Sequence, residues 1–157
     1  MFKGEVVSIQ IAGAAGEPMQ EVAEAQAVEG HGLQGDRYFG RTGTFSGKEG
    51  PGREVTLIEL EAIESLKVEG GVEFGLRESR RNIVTRGVPL NHLVGREFLV
   101  GAVRLRGVRL CEPCSHLQKL TGKPVLPGLV HRGGLRAQIV GAGVIRVGDL
   151  VIGADQQ

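Results

Sequence analysis

The stretch Ala102-Val103-Arg104-Leu105-Arg106-Gly107-Val108-Arg109-Leu110-Cys111 decides the fold class. Apolar residues alternate with arginines, which is the pattern of a strand with one buried face. Val103 and Leu105 share a face, the phase slips at Gly107, and Val108 and Leu110 resume it. A glycine at such a slip predicts a β-bulge. Cys111 would end the strand in phase with Arg109. Upstream the theme repeats at Glu97–Val100, at Arg80–Thr85, at Glu54–Ile58 and at Gly4–Ile11, the last with Val7, Ile9 and Ile11 on one face. Glu21–Val28 alternates too, with Ala23, Ala25 and Ala27 as a face of small residues. Downstream lie Leu135–Val140, Val144–Val147 and Leu150–Ile152. Helical spacing occurs at Glu59–Lys67, through Leu60, Ile63 and Leu66, and at Pro113–Thr121, closed by Gly122 in the place of a C′ glycine. Eight or so short strands with two short helices predict a mainly β barrel or sandwich. Strands and helices do not alternate regularly, so a doubly wound sheet is not expected.

The chain has 157 residues, which suits a single domain over 1–157 that buries its own core. Formal net charge is +1, which disfavours a strongly basic nucleic-acid binder. No apolar run reaches the ~18 residues of a membrane span. Met1-Phe2-Lys3-Gly4-Glu5 carries no apolar signal core. The expectation is a cytoplasmic protein with neither nucleic-acid nor membrane partners. Glycine is 26 of 157 residues, dispersed as turns and bulges require. Arginine outnumbers lysine 14 to 5. Compositional bias is one reading, and forked binding of phosphate or carboxylate is the other. Charge is unevenly spread: 11 acids and 5 bases from Glu17 to Glu69, then 8 arginines and 2 acids from Arg77 to Arg109. A solvated strand surface or an anion-binding face would both produce this.

Cys111-Glu112-Pro113-Cys114 holds both cysteines of the chain. A structural disulfide does not suit a reducing compartment. A thioredoxin-type redox pair wants a βαβ context that is missing. A zinc site wants a second closely spaced pair, and His116 and His131 are too far apart in sequence for that. Two readings stay open: small buried residues, or a single reactive or ligating thiolate. For the second, Cys114 is the candidate. Pro113 suits the first helical position, so Cys114 falls in the first turn, where the helix dipole favours a thiolate. Leu117 and Leu120 would pack that helix on the core.

In Arg80-Arg81-Asn82-Ile83-Val84-Thr85-Arg86-Gly87, strand alternation sends Arg80, Asn82 and Val84 to one face and Arg81 to the other. An arginine fork beside an amide can hold a phosphate or a flat heterocycle. An exposed strand start is the plainer reading. Gly30-His31-Gly32-Leu33-Gln34-Gly35-Asp36-Arg37-Tyr38 offers backbone N–H groups for an anion, with Asp36 and Arg37 to orient it or to pair internally. It fits neither a dinucleotide fingerprint nor a P-loop. His131-Arg132-Gly133-Gly134 is a similar loop before a strand. Gly40–Gly52, rich in glycine with Phe45 as its one large apolar residue, is expected to act as a lid, or else to be a surface insertion.

In order and spacing, these segments resemble the MOSC domain, the C-terminal domain of molybdenum-cofactor sulfurases, in its small stand-alone bacterial form. The resemblance runs from about Val6 to Ile152. It is carried by the Gly30–Arg37 loop, Arg53-Glu54-Val55-Thr56-Leu57-Ile58, Arg80–Gly87, Leu93-Val94-Gly95-Arg96 through Gly101, Cys111–Cys114, Val130–Leu135 and Ile145 through Asp149. Tyr38 stands where a histidine often follows Gly-Asp-Arg. The resemblance implies a barrel-like fold of short strands with two or three short helices. It implies the molybdenum cofactor, a phosphorylated pterin, as ligand. Cys114 would be the molybdenum ligand or persulfide carrier. Arg80 and Asn82 would contact pterin and phosphate, with Arg53, His31, Asp36, Arg37, His131 and Arg132 around them. The implied chemistry is sulfur transfer, or reduction of N-hydroxylated compounds. The chain has no pyridoxal phosphate domain and too few cysteines for a four-cysteine cluster, so a separate protein would donate sulfur or electrons. The alternative is a non-catalytic module that binds and delivers such a heterocycle.

Overall fold

The computed structural model describes residues 2–39, 54–71, 73–111 and 132–156. Its elements in chain order are β1 (Lys3–Ile11), β2 (Gln20–Val22), β3 (Glu24–Val28), β4 (Gly32–Leu33), β5 (Val55–Glu59), α1 (Leu60–Gly70), β6 (Ile83–Arg86), β7 (Glu97–Val100), β8 (Val103–Leu110), β9 (Leu135–Gly141), β10 (Gly143–Arg146) and β11 (Leu150–Gly153). Short 3-10 turns occupy Leu76–Ser79, Leu90–Leu93 and Ala154–Gln156. Seven strands run β1-β6-β5-β9-β8-β7-β11, and β11 pairs back onto β1, so the sheet closes into a barrel. Closure leaves no open edge within the ring. β2 hangs on β1, and β3, β4 and β10 form a second small sheet. β5 and β6 are parallel and joined through α1, while the ladders between the other named strands are antiparallel.

The barrel interior is filled by Leu57, Ile83, Phe98, Leu105, Leu135 and Ile139, all fully buried. The small sheet adds Ala25, Ala27, Leu33 and Ile145 to the same core. Ala25 and Ala27 are the inward face of the small-residue strand expected from sequence. That strand breaks at Ala23, because β2 joins the barrel while β3 turns into the small sheet. Outside the barrel, α1 lays Ala62, Ile63 and Leu66 on Ile58 and Val84. Each such large side chain contributes roughly 1.5–3 kcal/mol by burial.

Three sequence expectations need correction. In β1, Val6 and Ile9 face the core while Val7 packs toward α1. The cause is a register shift against β6 between Val6 and Ser8. Arg80–Thr85 is not one strand: Arg80 ends the preceding 3-10 turn with φ 57°, and β6 begins at Ile83. Cys111 is buried while Arg109 is exposed, so the two do not share a face. The bulge near Gly107 is present, as a register shift against β9 between Gly107 and Arg109. Its glycine is obligatory, since a Cβ there would lie 2.1 Å from the Leu93 carbonyl. The Pro113–Thr121 helix and the Gly40–Gly52 lid lie outside the described residues.

Candidate functional site

Arg80 is the one non-glycine residue with positive φ among the described residues. For an L-residue this conformation costs roughly 1–2 kcal/mol, and strain of this kind collects at functional sites. Arg37 holds it in place: its Nη2 donates to the Arg80 carbonyl at 2.9 Å. Arg80 Nη1 in turn donates to the Glu17 carbonyl at 2.7 Å. Arg37 is itself buried. It pairs with Asp36 at 3.1 Å, contacts the Met19 sulfur at 3.3 Å, and lies over the Tyr38 ring at 4.5 Å. Tyr38 is thus a cation–π platform for Arg37. Asp36 also accepts from the Ala12 and Tyr38 amides, which pins the Gly30–Arg37 loop to the end of β1. Burial lowers the Arg80 pKa most, and the neighbouring Arg37 lowers it further. The guanidinium stays charged, and an anion beside it would relieve both effects.

Asn82 is fully buried, and its side chain is spent on the fold. Its Oδ1 accepts from the Thr56 amide at 3.0 Å and from Thr56 Oγ1 at 3.2 Å, and its Nδ2 donates to the Gln10 carbonyl at 3.1 Å. It therefore stitches β1 to β5 just before β6 enters between them. Gln10 Nε2 donates to the Leu76 and Arg81 carbonyls, clipping the intervening 3-10 turn.

Arg81 feels the charge of Arg80 but bonds to a different part of the barrel. Its Nε donates to the Gly133 carbonyl at 2.7 Å and its Nη2 to the Cys111 carbonyl at 3.2 Å. The Cys111 amide donates to the Gly134 carbonyl at 2.7 Å. Arg81 therefore ties the end of β8 to the entry into β9, the two points between which Cys114 lies in sequence.

The structure thus gathers Asp36, Arg37 and Arg80 into one group, with Asn82 and Arg81 beside it. His31 is exposed and leans on Phe39, with ring centroids 5.7 Å apart. Arg132 is exposed and pairs with Glu69 of α1 at 3.3 Å. Arg53, Cys114 and His131 lie outside the described residues. Arg53 directly precedes Glu54, whose Oε1 accepts from the Ile139 amide at 2.9 Å. Among the described residues, no three His, Cys, Asp or Glu side chains gather to hold a metal ion. A separate cavity of about 570 Å³, lined by Phe2, His92, Arg96 and Asp155 among others, lies at the other end of β1. Sequence reasoning missed the roles of Arg81, Thr56 and Gln10. A polar residue in a strand that is otherwise apolar inward is a signal for Gln10, whereas nothing in the sequence marks the Arg81 contacts.

The MOSC domain family matches residues 43–152. The chain belongs to the MOSC domain family. The YuaD protein from Bacillus subtilis superposes with a TM-score of 0.78 at 16% identity, over 96% of this chain and 97% of that one. YiiM from Geobacillus stearothermophilus gives 0.71 at 16% identity, over 96% of this chain and 75% of that one. YiiM from Escherichia coli gives 0.68 at 16% identity, over 98% and 70%. At that identity these likenesses speak to the MOSC fold. A search of curated protein sequences returned no match. No helix among the described residues of this MOSC domain is long and apolar enough to cross a membrane.

Proposed function

We propose that this MOSC domain binds the molybdenum cofactor, with its phosphate at Arg80 and its metal at Cys114. The observation that carries the reading is Arg80: strained, half-buried, and set against a second arginine with one carboxylate nearby. This donor set fits a phosphorylated pterin. A phosphate monoester takes a forked guanidinium well, and its charge offsets the repulsion between Arg37 and Arg80. Arg37 positions Arg80 through the backbone, and Asp36 keeps Arg37 in place. Arg81 holds the Cys111 and Gly133 carbonyls, and so sets the two ends of the segment that carries Cys114. A cysteine thiolate is a soft ligand suited to molybdenum, and equally a carrier of sulfur. When bound, the cofactor would supply two-electron redox chemistry or accept a sulfur atom. The reaction is then either sulfur transfer or reduction of N-hydroxylated compounds, with a separate protein as donor.

The test uses protein purified from a cofactor-producing host. Cys114→Ser is expected to keep its pterin and lose most of its molybdenum. Arg80→Ala is expected to lose both. Equal molybdenum in native protein and Cys114→Ser would overturn the metal assignment. Unchanged pterin in Arg80→Ala would overturn the phosphate assignment.

A further inference from the structure

Gln10 lies near the end of β1 and is fully buried. Its Nε2 spends both protons on carbonyls, that of Leu76 at 2.8 Å and that of Arg81 at 3.0 Å. Its Oε1 has no hydrogen-bond partner, the one such buried side-chain atom among the described residues. Burying an amide with one end unmet works against stability. A methionine would fill the same space without that unmet oxygen. The amide therefore needs a reason besides the stability of the barrel, and its two donor bonds supply one.

Leu76 and Arg81 bracket the 3-10 turn at Leu76–Ser79 and the left-handed Arg80 that ends it. A second side chain bridges the same two residues from within. Ser79 Oγ donates to the Leu76 carbonyl at 2.7 Å and accepts from the Arg81 amide at 3.2 Å. The next residue is also fixed to β1, since the backbone N–H of Gln10 donates to the Asn82 carbonyl at 2.7 Å. With both ends drawn together, the chain must reverse between Ser79 and Arg81. Arg80 makes that reversal at φ 57°. The same conformation leaves its guanidinium against the Glu17 carbonyl rather than on a strand face beside Asn82.

We propose that Gln10 is a positioning residue of the anion site: its side-chain amide holds Arg80 in the left-handed conformation that presents the guanidinium to phosphate. The phosphate half rests on the function proposed above; the hold on Arg80 does not. Gln10 acts through the backbone and touches no ligand. Arg37 grips the Arg80 carbonyl, and Gln10 fixes the chain before and after it.

The test is NMR of the full chain, native and Gln10→Met, titrated with inorganic phosphate. Positive φ brings a residue's own N–H and Hα close together, which gives a strong intraresidue cross-peak. Native protein is expected to show it at Arg80. Gln10→Met is expected to lose it and to bind phosphate about tenfold more weakly or worse. Thr56→Val removes a different buried bond to the same segment, through Asn82, and should leave both measurements near native. Absence of the cross-peak from native protein, its survival in Gln10→Met, or equal loss in Thr56→Val overturns the proposal. Should Gln10→Met not fold alone, Gln10→Met with Arg80→Gly decides. Glycine takes positive φ without strain, so the double variant is expected to fold. A double variant that stays unfolded overturns the proposal as well. Loss of the cross-peak with unchanged phosphate affinity leaves the hold on Arg80 standing and sinks the phosphate assignment.

Discussion

Arg80 and Asn82 sit two positions apart, and a strand would give them one role; the structure gives them two. Asn82 completes the ladders of β1 and β5, so Asn82→Ala should cost roughly 1–3 kcal/mol in chemical denaturation, through buried groups left unpaired. Arg81→Ala should cost roughly 1.5–3 kcal/mol by the same measurement, because it strands the Gly133 and Cys111 carbonyls. Arg80→Gly should behave differently. Glycine accepts positive φ, so stability should hold or rise by up to about 1 kcal/mol, while affinity for inorganic phosphate falls. The residue types of this segment are legible in the sequence as anion-binding chemistry. Their directions are not, because a single αL residue at Arg80 cancels the period of two on which strand alternation depends. An internal pair between Asp36 and Arg37 is also legible, since opposite charges stand next to each other. The stacking of Arg37 on Tyr38 is a contact between adjacent residues that spacing rules do not address.

β8 is the element that the sequence describes best, since its bulge follows from one glycine in an alternating run. Gly107→Ala should cost roughly 1–3 kcal/mol, because the added methyl meets the Leu93 carbonyl head-on. Thermal unfolding would show it as a lowered Tm. At the junction of β5 and α1, burial raises the Glu59 pKa most and Glu61 raises it further, above the ordinary 4.5. In the window between 4.5 and the raised value, the folded chain holds a proton that the unfolded chain has lost. Stability therefore falls as pH rises through that window, and the penalty persists above it. Glu59→Gln should accordingly unfold at a higher Tm than native protein at neutral pH, with the difference closing below pH 4.5. A variant no more stable than native at neutral pH would contradict this. Element boundaries are harder to read where a strand changes partner. Gln20–Val28 carries one alternation but serves two sheets, and no residue in it announces the break at Ala23.

At the scale of the whole molecule, the barrel is a closed surface with two settings for its arginines. One set is inside the site and held by carbonyls and a carboxylate, and the other is spread on the outward face of β8 and β9. The near-neutral total conceals both, and the segment count from Arg77 to Arg109 mixes them. Mainly β character is legible because each short run carries its own period, whereas the strand count is not: eight or so were expected, and eleven stand among the described residues because Gln20–Val28 splits in two and Gly32–Leu33 pairs inside a glycine-rich loop. Closure is not, since it depends on β11 returning to β1 across almost the full length of the chain. The central claim is that this barrel holds one phosphorylated pterin with molybdenum at the arginine end. Native mass spectrometry of protein from a cofactor-producing host tests it most directly. One ligand of molybdenum-pterin mass per chain, removed by Arg80→Ala, is the predicted result. A bare chain in both samples, with no pterin released on denaturation, would contradict it.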